Sequence, residues 1–256
     1  MRFSGDISRL QQGASGTADY AARRTATLLA LEPRQGETIL EIGCGGGLLT
    51  RQVAQSVGSA GRAFAIDLSD DQLQSARANC AGLPNVELRI GSVLSLPYSA
   101  ATFDAVASIQ VLEYIENLED ALAEIRRVLK PGGRFVNFAT AWGSLFWNTP
   151  EAARMQRILD AWNAHAPHPN LPAALKNRLQ VQSFSEVTQT PVAMLNSSYD
   201  PNAFSYWLAQ IIANFVNDRQ VYTAELTQDW LEDLAQTRDR NEYFFCLIGV
   251  VTRGVR

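Results

Sequence analysis

The residues Glu41-Ile42-Gly43-Cys44-Gly45-Gly46-Gly47 follow directly on the apolar stretch Thr38-Ile39-Leu40 and lead into Leu48-Leu49. Glycines at alternate positions allow positive φ and let the backbone touch a ligand, and the helix that such a turn opens offers it unpaired N–H groups. The next apolar run ends in Asp67. A carboxylate about 20 residues beyond such a loop can accept hydrogen bonds from both hydroxyls of a ribose, and it selects a ribose without a phosphate. Together the loop and the acid point to a site for an adenosine-containing cofactor.

Dinucleotide sites use the same two parts, so the spacing has to separate them. The fingerprint G-x-G-x-x-G would need glycine where Leu48 stands, whereas here glycines occupy 43, 45 and 47. None of the seven tyrosines has a lysine four residues later, which removes the usual catalytic pair of short-chain dehydrogenases. NAD-dependent hydride transfer therefore stands only as the alternative. The three cysteines, Cys44, Cys80 and Cys246, are widely spaced, and they predict reduced structural thiols with no disulfide framework and no metal site. Both histidines, His165 and His168, fall in a loop with Pro167 and Pro169. A solvated position is the plain reading of that loop, with His165 kept as a candidate base.

These residues need a scaffold, and residues 38–139 supply a recognisable one. Short apolar runs at 38–42, 63–66, 86–90, 103–109 and 134–139 alternate with amphipathic stretches, the pattern of a parallel sheet covered by helices on both faces. Ser69-Asp70-Asp71-Gln72 is a capping box and predicts a helix start. Leu118, Leu122, Ile125 and Leu129 share a helical face, with acids at the N-terminal end and Arg126, Arg127 and Lys130 at the other. Pro131-Gly132-Gly133 stops that helix. A leading helix over 17–31 places Tyr20, Ala21, Arg24, Leu28 and Leu31 on one face. Beyond 140, Thr149-Pro150-Glu151 predicts a capped helix to Trp162, followed by a short helix to Leu179. Helices over 202–215 and 223–236 lie between strands at 186–195 and 243–251. Too few strands remain there for an independent domain, so this half is expected to complete the sheet and add a helical cap.

The ordered motifs resemble the class I S-adenosylmethionine-dependent methyltransferases, in particular the small-molecule group related to the ubiquinone and menaquinone methyltransferases. The resemblance covers about residues 20–139. It rests on Leu40-Glu41-Ile42-Gly43-Cys44-Gly45-Gly46-Gly47, Ala65-Ile66-Asp67-Leu68-Ser69, Leu96-Pro97-Tyr98 followed by Phe103-Asp104-Ala105-Val106, and Leu129-Lys130-Pro131-Gly132-Gly133. It implies an α/β, Rossmann-like, mostly parallel seven-stranded sheet with helices on both faces and the last strand antiparallel. Residues 1–256 would then be one methyltransferase domain: a cofactor-binding core with a lid helix at 1–140, cap helices and the sixth strand at 141–240, and the final strand at 241–256.

The same resemblance assigns roles to individual residues. Gly43, Cys44 and Gly45 would line the methionine end of the cofactor, with Glu41 supporting the loop from beneath. Asp67 would bind the ribose, Leu68 would pack on the adenine, and Gln110 would lie near the sulfonium. Tyr20 and Arg24 look like the lid residues that meet the cofactor's carboxylate, a suitable partner for a guanidinium. Where the family usually has an aspartate for the adenine amino group, this chain has Ser92 followed by Val93, and Ser92 can make one hydrogen bond there. Glu113 and Tyr114 occupy positions that face the transferred methyl in relatives, so with His165 they are the candidates to remove a proton from the acceptor.

Composition sets the outer limits. The 256 residues are 46% hydrophobic and 19% charged with a net charge of -4, which suits a folded chain with a substantial core and gives no overall basic footprint for nucleic acid or membrane. Met1-Arg2-Phe3-Ser4-Gly5-Asp6 has no apolar secretory core, and no apolar run reaches the roughly 18 residues of a spanning helix, so a cytoplasmic location is expected. The expected activity is methyl transfer from S-adenosylmethionine to a small apolar or aromatic molecule. A non-catalytic cofactor-binding partner or sensor is the rival class.

Overall fold

The computed structural model describes residues 6–220 and 222–256; the N-terminal segment read above lies outside the described residues up to position 5. The apolar runs become the strands Thr38–Ile42 (β1), Arg62–Asp67 (β2), Val86–Ile90 (β3), Phe103–Ile109 (β4), Leu129–Trp147 (β5), Ser185–Asn196 (β6) and Phe245–Val255 (β7). They form one sheet in the order β3-β2-β1-β4-β5-β7-β6. β1 to β5 run parallel, and β7 is antiparallel to both of its neighbours. Around the sheet lie Asp6–Ser15 (α1), Ala18–Leu31 (α2), Leu48–Val57 (α3), Asp70–Asn79 (α4), Leu118–Val128 (α5), Ala152–Trp162 (α6), Leu171–Val181 (α7), Phe204–Asp218 (α8) and Ala224–Asp239 (α9).

Two apolar layers hold the helices to the sheet. On one face Leu122 and Ile125 of α5 and Leu175 and Leu179 of α7 pack on Leu40, Val106 and Phe135. On the other, Leu31 of α2 and Val53 and Val57 of α3 pack on Ile39, Val136 and Phe138. Burying a side chain of this size contributes about 1.5–3 kcal/mol. A buried ion pair adds direction: Arg134 on β5 donates to Glu37 (2.6 Å) and to the carbonyl of Leu31 (2.9 Å), fastening the C-terminal end of α2 to the sheet. A third apolar cluster, with Trp142, Trp147, Trp162, Phe204, Trp230 and Phe245 among its members, joins α6, α8 and α9 to the far ends of β5 and β7.

The structure departs from the sequence expectation at several ends. The sequence does not announce α1, because only Ile7, Leu10 and Ala14 of its ten residues are apolar and it includes Gly13. It is held from outside, with Gly13 so close to Trp207 of α8 that a Cβ there would lie 2.5 Å from the ring. β5 runs past 139 to Trp147 because β7 continues to pair with it. The irregularity between Ala141 and Phe146 is bridged by Ser144, whose Oγ accepts from the backbone N–H of Ile248 (3.0 Å). Pro131-Gly132-Gly133 does turn the chain, but inside the extended segment, where the β4–β5 register shifts and Gly132 takes φ +76°. The Thr149-Pro150 cap does not form. α6 begins at Ala152 with Glu151 at its N-cap, and the Thr149 hydroxyl accepts only from the backbone N–H of Glu151 (3.3 Å). Ser69 does cap α4, accepting from the backbone N–H of Gln72 (3.4 Å).

Candidate active site

A cavity of about 970 Å³ opens over the carboxyl ends of β1, β2 and β4, where an open α/β sheet presents its loops. The turn after β1 forms one wall. Gly43, Gly45 and Gly47 all take positive φ, and a Cβ on Gly43 would lie 2.2 Å from Val111 Cγ2, so glycine is required there by both backbone and space. The turn is tied to β2: the N–H groups of Gly43 and Cys44 both donate to the Ile66 carbonyl (2.8 and 3.0 Å). Asp67 completes the tie, with Oδ2 accepting from Gly45 N–H and Oδ1 from Ser69 N–H, both at 2.9 Å. Each oxygen keeps lone-pair capacity for a ligand, and the side chain borders the cavity.

The opposite wall is apolar. Tyr114, Ile115, Trp142, Trp162, Phe204 and Leu208 border it, drawn from the segment after β4, from β5 and from α6 and α8. Among the residues expected from sequence, Tyr20, Arg24, Glu41, Gly43, Cys44, Gly45, Asp67, Leu68, Ser92, Val93, Gln110 and Tyr114 all border this one cavity.

Residues 40–137 match the family model of the methyltransferase domain. The match runs from β1 through the glycine turn and β2 to β4 into the first part of β5. Over 106 residues the chain is 36% identical to a demethylmenaquinone methyltransferase of Symbiobacterium thermophilum, covering 40% of this chain and 42% of that one. The chain spans less than half the length of the first curated relatives it matches. In fold it is similar to the YcgJ protein of Bacillus subtilis, with a TM-score of 0.62 and 15% identity over 93% of this chain and 98% of that chain. A second similar structure is a phosphoethanolamine N-methyltransferase of Haemonchus contortus in complex with S-adenosyl-L-methionine, with a TM-score of 0.57 and 18% identity over 91% of this chain and 52% of that chain.

Around the glycine turn, burial governs the electrostatics. Glu41 lies under the glycine turn and accepts a hydrogen bond from Thr50 Oγ1. Burial, aided by the nearby Asp67 charge, pushes its carboxyl up to about 8. Burial holds the Cys44 thiol far above its ordinary range, in keeping with a structural thiol. Among the described residues no group of acidic, histidine or cysteine side chains is arranged to hold a metal ion, and no helix is long and apolar enough to cross a membrane.

Two of the three candidate bases do not reach the cavity. Glu113 is 1% exposed and lies behind Gln110, whose Nε2 donates to its Oε1 (3.0 Å); burial raises its carboxyl to about 7. His165 is not the solvated loop residue that its neighbours suggested. It is 1% exposed, stacked on Trp162 at 4.0 Å, with Nδ1 2.7 Å from the Trp162 carbonyl, and burial lowers its imidazole to about 4. Tyr114 does border the cavity, and burial drives its phenol well above 10.

Several bordering residues escaped the sequence reading, and one of them is charged and buried. Arg23, its guanidinium carbon 3.1 Å from the centroid of the Tyr20 ring, donates from Nη1 to Gln110 Oε1 (2.7 Å). The buried positions of α2 are Arg23, Thr27 and Leu31, four residues apart, rather than the Arg24 and Leu28 face. Following Leu31 backwards in steps of four would have found it.

Proposed function

We propose that the protein transfers a methyl group from S-adenosylmethionine to a small acceptor with an apolar or aromatic body. The observation that carries this reading is the division of a single cavity. One half is built from backbone and carboxylates, the other from indole, phenyl and aliphatic groups, as expected where a polar cofactor meets an apolar partner.

The residues present fit that cofactor. Leu68 is 71% exposed at the cavity edge beside Asp67, an apolar surface next to a ribose-binding carboxylate, suited to a flat adenine ring. Asp67 is preset by two backbone donors and would hold the ribose, Ser92 and Val93 would border the adenine, and the turn at Gly43–Gly45 would receive the amino-acid tail, with Arg24 and Tyr20 available to its carboxylate. When bound, the cofactor supplies an already activated methyl on a sulfonium.

The chain's own task is then to position the acceptor and exclude water. The Trp142, Trp162 and Phe204 wall keeps bulk solvent away and restricts how the acceptor lies, which removes translational freedom from the reaction. Tyr114 stays a phenol at neutral pH and keeps that part of the wall uncharged. Gln110 is fixed between Arg23 and Glu113 and presents a settled amide at the boundary of the two halves.

Calorimetry with S-adenosylmethionine and with S-adenosylhomocysteine tests the cofactor assignment. Both should bind saturably, and Asp67→Ala should weaken them by about 1–3 kcal/mol through loss of charged hydrogen bonds. No saturable binding overturns the proposal. Incubating cell extract with methyl-labelled cofactor should label a small apolar product; cofactor binding with no labelled product would make the protein a sensor or partner instead of an enzyme.

A further inference from the structure

Arg23 stands out among the residues of the cavity. Its side chain is among the buried charges of the fold, 8% exposed, yet its Nη1 donates to a neutral amide rather than to a carboxylate. Its Nε is buried with no hydrogen-bond partner. A buried guanidinium left in this condition is unfavourable until an anion completes it. The Tyr20 ring over which it lies, 3.1 Å away, recovers only part of that cost.

Its partners distinguish it from Arg24. The two leave the helix about 100° apart, and although their guanidiniums lie within each other's field they are held by different groups. Arg24 lies within the field of Glu41 under the glycine turn and donates to the Ser15 carbonyl (3.3 Å). Arg23 is joined to Gln110 and lies within the field of Glu113 and Tyr114, the groups that follow β4 and lead to the aromatic wall. The Gln110 amide that holds it is fixed in turn, with φ at +54° and its Nε2 committed to Glu113.

We propose that Arg23 is the recognition group for an anionic oxygen on the acceptor, so that the acceptor is an apolar or aromatic molecule carrying a carboxylate, phenolate or enolate. This inference rests on the proposed function and names the acceptor class for the same cavity. It agrees with the fate of the candidate bases. Glu113 and His165 lie behind the wall, and Tyr114 is held as a neutral phenol, whereas an acceptor that arrives ionised asks the chain for no proton acceptor. A guanidinium offers a planar fork of donors to such an oxygen.

The test compares 2-naphthoate with its neutral counterpart 2-naphthamide, binding to the whole protein in the presence of S-adenosylhomocysteine, read by quenching of tryptophan fluorescence. S-adenosylhomocysteine binding is measured first, and its absence overturns both the proposed function and this inference. Given that binding, naphthoate should bind at least about tenfold more tightly than naphthamide. Equal binding of the two, or binding of neither, overturns the acceptor assignment while leaving the cofactor assignment intact. Arg23→Met should bring the ratio close to one and leave S-adenosylhomocysteine affinity within about twofold, whereas Arg23→Lys should retain part of the preference. If Arg23→Met instead loses the cofactor, Arg23 grips the methionine tail and the inference falls. Should that variant not fold, the wild-type ratio alone decides.

Discussion

The two walls of the cavity are built by different means. The glycine-turn wall is positioned by backbone: the Gly43 and Cys44 N–H groups on Ile66, the Gly45 N–H on Asp67, and a φ of +67° at Gly43. The aromatic wall is positioned by side chains from β5, α6 and α8, elements separated by tens of residues, whose relative placement depends on a shared apolar cluster. The turn takes its geometry from its own glycines and from one neighbouring strand end, the aromatic wall from packing among elements scattered along the chain. One wall can therefore be damaged by a single methyl, and the other by removing an anchor.

The largest effect expected is on the aromatic side. Trp230 is fully buried in the cap cluster, its ring 5.6 Å from that of Trp147. Trp230→Ala should cost about 3–5 kcal/mol, measured by denaturant unfolding. A loss confined to below 1 kcal/mol would mean that the cap tolerates a large void and that the contrast between the walls is weaker than drawn. Gly43→Ala comes next. It brings a methyl into Val111 at a positive φ and should cost about 1–3 kcal/mol of stability together with most cofactor affinity. Unchanged affinity would show that the turn can shift without consequence.

A third experiment separates the walls by pH. Glu41 beneath the turn and Glu113 behind Gln110 both titrate above the usual carboxyl range, at about 8 and about 7. The folded chain therefore holds protons that the unfolded chain releases near its ordinary carboxyl pKa, so stability should fall as pH rises from about 5 to about 8. Thermal unfolding should show Tm dropping by roughly 5 °C or more across that window. Glu41→Gln should remove most of the slope, and a slope surviving in that variant would assign it to Glu113 and the acceptor side. The smallest effect is expected at Ser69, whose cap on α4 is a single 3.4 Å hydrogen bond. Ser69→Ala should lower stability by about 0.5–1 kcal/mol, with the Asp67 carboxylate still held by the Gly45 and Ser69 N–H groups.

The same division explains what the sequence made legible. β1 to β4, the helix start at Ser69 and the glycine turn are written in local patterns, namely alternating apolar runs, a capping box and punctuating glycines. The residues named from those patterns between Glu41 and Gln110 accordingly line one cavity. What failed locally depended on distant partners. α1 takes its support from Trp207, and β5 is lengthened by β7. His165 lies in a loop of prolines and asparagines that reads as exposed, and is buried only because Trp142 and Trp162 close over it. Arg23 differs from these. Its position was available in the four-residue spacing with Thr27 and Leu31, and it was obscured by an equally plausible stripe through Arg24 and Leu28.

The strand order has a consequence for how the molecule is made. β6 precedes β7 in the chain, yet β7 lies between it and the rest of the sheet. A ribosome therefore delivers Ser185–Asn196 before the ribbon that will receive it exists. Until Phe245–Val255 has emerged and settled against β5, that earlier segment has no ladder to join, and its amides stay with water.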